Sequence, residues 1–99
     1  MSKKAIMVYH HKAEIRSKYV LELTIWEIDD LDKFPDKIKY SLIFTESENL
    51  TNKILFDNHH PKGHHYHINN EQYLYEFKNI EELINDFQQL VFEHFGVKL

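Results

Sequence analysis

Five of the eight histidines, His59, His60, His64, His65 and His67, fall within nine positions of one another in the segment Asp57 to His67, DNHHPKGHHYH. Imidazole titrates nearest neutral pH, so a neutral and a protonated ring held side by side can take one proton and return another. Lys62 stands inside the same segment and adds a fixed positive charge. Together these are the parts of metal-independent RNA cleavage. One imidazole removes the proton of a 2′-hydroxyl, a second protonates the leaving 5′-oxygen, and the ammonium offsets charge on the phosphate. In that reading His65 and His67 are the general acid and base and Lys62 stabilises the phosphate. Asp57, Asn58 and His59 complete the catalytic group, while Lys53, His60, His64 and Tyr66 contact the RNA. The scheme calls for no metal and no cofactor.

Two other readings stay open. Asp57, His59, His65 and His67 are a donor set for a divalent cation, which would make the segment a non-catalytic binding module that acts by occupying a partner. The spacing H-H-x-x-x-H-H-x-H matches no familiar metal signature. In the plainest reading the segment is an exposed polar loop, with Asp57 and Asn58 forming an Asx turn. A modifying enzyme that takes a nucleotide donor is disfavoured, because neither of the two glycines lies in a G-x-G-x-x-G or Walker context.

The scaffold must hold this segment between rigid elements. Ala5 to Tyr9 is a short apolar run and Tyr19 to Ile28 alternates, with a polar turn over residues 12–18 between them. Asp29 to Lys37 is acidic, carries Pro35, and leads into Tyr40 to Thr45. Lys53 to Asp57 follows as the return arm of a hairpin. Pro61 and Gly63 shape the histidine loop and aim Lys62 outward. If His65 to Ile68 runs extended, His65 and His67 share a face, about 7 Å apart by the period of two. Gln72 to Phe77 alternates again, with Tyr73, Tyr75 and Phe77 on one face. From Ile80 the period becomes helical through Phe95, with Asn79 as N-cap, Glu82 completing a capping box and Gly96 as terminator. The expected fold is α+β: a meandering, mainly antiparallel sheet of about five strands with one C-terminal amphipathic helix on one face. Trp26 is expected in the core, with base stacking, shared with Tyr73, Tyr75 and Phe77, as the alternative, and His10 and His11 are expected at a strand end.

Ninety-nine residues make one domain, 1–99, and 42% hydrophobic content with fourteen aromatic residues can fill its core. The absence of cysteine excludes disulfides, thiolate metal sites and cysteine nucleophiles. The charged opening precedes too short an apolar run for a signal peptide, and no segment is long and apolar enough to span a bilayer, so the cytoplasm is the expected location. A net charge of −4 argues against a general nucleic-acid coat and leaves a local cationic site open. The edge strand at Ala5 to Tyr9 is a candidate for homodimer pairing or for strand addition by a partner.

The run Phe56-Asp57-Asn58-His59-His60, then Lys62-Gly63, then His65-x-His67, followed by Tyr75-Glu76-Phe77 and the helix Ile80-Glu81-Glu82-Leu83-Ile84-x-Asp86-Phe87, resembles the TumE family of toxins from prokaryotic toxin–antitoxin pairs. Members typically read D-N-H-x-G-K-G-D-H-R-H, and this chain departs from the pattern with Pro61, with His64 in place of aspartate and with Tyr66 in place of arginine. Asp57, Asn58, His59, Lys62, Gly63, His65 and His67 match position by position. The resemblance implies a growth-inhibiting toxin neutralised by a helix-turn-helix antitoxin encoded nearby. RNA as substrate agrees with the histidine and lysine chemistry.

Overall fold

The computed structural model describes residues 4–99, so the charged opening, residues 1–3, lies outside the described residues. Six strands follow in chain order: β1 (Ala5–Ile15), β2 (Tyr19–Ile28), β3 (Ile38–Glu46), β4 (Asn49–Asp57), β5 (His65–Ile68) and β6 (Glu71–Leu74). One helix, α1 (Ile80–Phe95), ends the chain. The sheet order is β1-β2-β3-β4-β5-β6 with every neighbour antiparallel, an uninterrupted meander. The fold is therefore α+β with one helix on an antiparallel sheet, as expected, but with six strands rather than about five.

The sixth strand comes from the histidine segment itself. His65 to Ile68 pairs with both β4 and Glu71 to Leu74, and the two short strands are joined through Asn69, which sits at φ 56. Asparagine tolerates this left-handed region better than most residues. The expected strand from Gln72 to Phe77 stops at Leu74. Tyr75 keeps one tie to the sheet, its N–H donating to His64 O at 3.2 Å, and the chain then crosses to the helix. At the other end β1 is longer than expected and runs to Ile15, so His10 and His11 sit in mid-strand. The reversal takes three residues, Arg16, Ser17 and Lys18, the first two at φ 56 and φ 51. Two successive left-handed residues match the right-handed twist of a hairpin, but without Asn-Gly the sequence does not announce it.

One face of the sheet carries the core. Tyr19, Leu21, Leu23 and Ile25 of β2, Tyr40, Leu42 and Phe44 of β3, and Ile54 and Phe56 of β4 are buried under Leu83, Phe87 and Val91 of α1. Each fully buried apolar side chain of this size stabilises by about 1.5–3 kcal/mol. The helix is set as its sequence specifies: Asn79 Oδ1 accepts from the Glu82 N–H at 2.8 Å, Gly96 is left-handed at φ 70, and its N–H donates to Phe92 O. The opposite face lacks a helical cover among the described residues. Trp26 stands on that face, in register with Met7 and Lys39, and is not part of the core. Period-two alternation placed Leu21, Leu23 and Ile25 on one side and Trp26 on the other, and the helix chose the leucine side.

Candidate active site on the helix-free face

The register of β4 and β5 builds the site. His65 lies opposite Asp57 and His67 opposite Leu55. Because side chains alternate, Lys53, Asp57, His65 and His67 all project to the face away from the helix. His65 Nε2 is 3.0 Å from Asp57 Oδ1, and its Nδ1 is 2.8 Å from the Gly63 carbonyl oxygen. A carbonyl only accepts hydrogen bonds, so Nδ1 is the donor to Gly63 and Nε2 is the nitrogen turned to the Asp57 carboxylate. His65 is only 2% exposed. A polar ring so deeply placed requires polar partners, which the Gly63 carbonyl and Asp57 supply.

His67 is half-buried, its ring edge-on to that of His65 with centroids 5.0 Å apart, closer than regular alternation alone would place them. Burial holds its proton affinity below the ordinary imidazole value of 6.5. The positive charge on His65 acts in the same direction, as do Lys53 and Lys62, against the opposing pull of Asp57. The pair is thus asymmetric in setting, one ring buried between a carbonyl and a carboxylate and its neighbour biased to neutrality. One donor atom from each of Asp57, His65 and His67 lies within 4.8 Å of the others, so the three can also meet one small cation.

The loop between the strands is shaped for this arrangement. The Lys62 N–H donates to His59 O at 3.0 Å, closing a turn, and Gly63 follows at φ 72, where a side chain would strain the backbone. That left-handed residue points its carbonyl at His65. Lys62 Nζ donates to Gln72 Oε1 at 3.3 Å, and Gln72 is the register partner of His67, so the ammonium reaches the rim beside that ring. Neither the Gly63 carbonyl nor Gln72 is marked by residue type as part of a site. Only the register exposes them.

The other candidates separate. Asn58 is 4% exposed and turns to the helix side, where its Oδ1 accepts from the Tyr40 N–H at 2.9 Å and its Nδ2 donates to Ile38 O at 2.8 Å. It stitches the end of β4 to β3. His64 also faces away from the cluster: its ring stacks on Phe77 at 4.8 Å, accepts from the Tyr40 hydroxyl at Nδ1 (2.8 Å) and donates from Nε2 to Asp36 (2.7 Å). This ties the acidic 29–37 loop to the histidine segment. Tyr66 packs between Phe56 and Tyr73, at 5.0 and 5.1 Å, on the helix side. His59 and His60 are exposed, and the His59 N–H donates to Asp57 Oδ1 at 3.2 Å, the anticipated Asx turn. Asp57, His65, His67, Lys53 and Lys62 therefore gather on one face, with His59 and His60 at its rim. Asn58, His64 and Tyr66 do not join them.

A family model described as Toxin TumE matches residues 5–94, from β1 nearly to the end of α1. The chain belongs to the TumE toxin family. No curated protein and no solved structure matches it. Membership in TumE makes the chain the toxin component of a toxin–antitoxin system and implies an antitoxin partner. Among the described residues no helix is long and apolar enough to cross a membrane.

Proposed function

We propose that this TumE chain inhibits growth by cutting RNA without a metal ion, at the cluster of Asp57, His65, His67 and Lys62. The observation that carries the reading is the imidazole pair of His65 and His67, 5.0 Å between ring centroids, on a sheet face without a helical cover among the described residues and with a lysine at its rim. His67, biased neutral, takes the proton of a ribose 2′-hydroxyl. The 2′-oxygen then bonds to phosphorus as the bond to the 5′-oxygen breaks. The His65 and Asp57 pair returns a proton to that departing oxygen, and Lys62, with Lys53 behind it, offsets the charge gathered on the phosphoryl oxygens. Asn58, His64 and Tyr66 act by holding the loop. The antitoxin is expected to be a helix-turn-helix protein encoded alongside, covering part of the histidine loop, and the cytoplasm is where both would act.

The test is the purified chain incubated with RNA in the presence of excess chelator, with His67→Ala and Lys62→Ala versions alongside. Cleavage by the parent, with both variants reduced by a factor of about 100 or more as expected for a lost acid–base or charge-stabilising group, supports the reading. Intact RNA, or cleavage indifferent to His67, overturns it. A second reading rests on the 4.8 Å grouping of Asp57, His65 and His67. Two imidazoles and a carboxylate are a common donor set for a divalent cation, with the Gly63 carbonyl fixing the His65 tautomer. Calorimetry with zinc or manganese decides it: stoichiometric binding lost in Asp57→Ala favours a metal-loaded module, and absence of heat removes that reading.

A further inference from the structure

The single tryptophan of the chain lies outside the core, on the same face as the histidine cluster. Among the described residues no aromatic ring stacks on Trp26 and no hydrogen bond holds its indole N–H, although it is half-buried between Met7 and Lys39. Its position relative to the cluster follows from the register. Thr24, Ser41, Asp57 and His65 form one row across β2 to β5, and Trp26 and Lys39 begin the next row. With strands ~4.8 Å apart and a rise of ~3.4 Å per residue, Trp26 is about 12 Å from Asp57 along the sheet surface.

The charges on this face are arranged in one sense. Lys39, Lys53 and Lys62 stand on or beside it, and among the described residues every ion pair involves a histidine and none a lysine. The carboxylates nearest the platform and the cluster have partners, Asp57 in His65 and Glu22 in His10 at 3.0 Å, and Glu14 stands at the far end of the face, opposite Val20. A region whose nearest acids are paired with imidazoles and whose lysines lack carboxylates attracts a polyanion, even on a chain of net charge −4. An indole on which no other ring stacks offers a platform for a base. Only a single strand can supply one, since duplex bases already stack on each other.

We infer that Trp26 and Lys39 form a nucleotide-binding subsite for single-stranded RNA, holding a base flanking the phosphate that lies at His65 and His67. The inference rests on the RNA-cleavage reading for the identity of the polymer. Lys39 contacts a backbone phosphate between the platform and the cluster, Lys53 one on the far side of the cluster, and the indole stacks on one base without selecting its sequence.

Because Trp26 is the only tryptophan, its fluorescence reports the subsite directly. The full chain carrying His67→Ala is titrated with a single-stranded oligoribonucleotide of about eight nucleotides, a length within the range such platforms cover, and with an RNA duplex of equal length. Saturable quenching by the single strand and much weaker quenching by the duplex are expected. By fluorescence anisotropy of a labelled strand, Trp26→Ala weakens binding by about 5- to 150-fold, the factor corresponding to one stacked base, and Trp26→Phe recovers most of it. Lys39→Ala lowers the steepness of the salt dependence. Equal affinity of Trp26→Ala and the parent, or equal quenching by duplex, overturns the subsite. The catalytic reading is separable. Binding through Trp26 without cleavage by the unaltered chain leaves the subsite standing and removes the chemistry, whereas cleavage with an unchanged KM in Trp26→Ala does the reverse.

Discussion

Replacing Asn58 by alanine separates a positioning residue from the chemistry beside it. Asn58 neighbours the catalytic candidates in sequence, yet its side chain bridges the Tyr40 N–H and Ile38 carbonyl at 2.9 and 2.8 Å, on the side away from His65 and His67. Alanine leaves both backbone groups without their partner, Tyr40 being 1% exposed. Each orphaned group costs about 1–3 kcal/mol, so a combined loss of roughly 3 kcal/mol is expected after partial relaxation. In a domain of this size that lowers Tm by roughly 12–24 °C. Thermal and urea unfolding followed by circular dichroism measure it. Asn58→Asp should do no better, since it keeps the acceptor for Tyr40 but loses the donor to Ile38 and buries a charge. His59→Ala, one residue on and exposed, should stay within about 0.5 kcal/mol of the parent. A melting temperature for Asn58→Ala within about 2 °C of the parent would refute the assignment of Asn58 to the scaffold.

Gly63 and Gly96 make a matched pair, at φ 72 and φ 70 with nothing within 4 Å of an added Cβ. Alanine at either should cost about 1 kcal/mol of backbone strain, and only Gly63→Ala, whose carbonyl holds His65, should also slow RNA cleavage. His64→Ala removes the bonds to Tyr40 and Asp36 and should cost about 1–2 kcal/mol, with hydrogen exchange quickening across residues 29–37; unchanged exchange there would count against the tie. The depressed proton affinity of His67 sets a pH dependence. The cleavage rate should rise with pH along a limb centred below 6.5, and His67→Gln should abolish that limb. The unfolded chain binds this proton more readily than the folded one. The stability held by a neutral His67 is therefore complete above about 6.5 and is lost as pH falls toward the folded-state value, a slope that His67→Gln should remove.

The helix was fully legible, because its cap, its apolar stripe and its terminator are each encoded by residue types with one local use: Asn79, Leu83 with Phe87 and Val91, and Gly96. The strands were legible where alternation was long, as in β2, and obscure where a short strand or an unusual turn carried the information. Nothing in Arg16-Ser17-Lys18 signals so tight a reversal, and the four residues of β5 are too few to show a period. The site was half legible. Asp57, His65, His67 and Lys62 are chemically conspicuous, and the period of two places His65 and His67 together once β5 is extended. The same period sends Asn58, His64 and Tyr66 to the helix side, a consequence visible only when the register with β4 is fixed. Trp26 was expected in the core on residue type, and what decided otherwise was which face of β2 the helix covered.

The chemistry is tested most directly by the ends left on the RNA. A labelled strand incubated with the purified chain in chelator should yield products ending in a 2′,3′-cyclic phosphate and a 5′-hydroxyl, and a substrate with a single 2′-deoxyribose at the cleaved position should remain whole there. Products ending in a 3′-hydroxyl and 5′-phosphate, or cleavage of the deoxy-substituted strand, would contradict proton removal from a 2′-hydroxyl by His67.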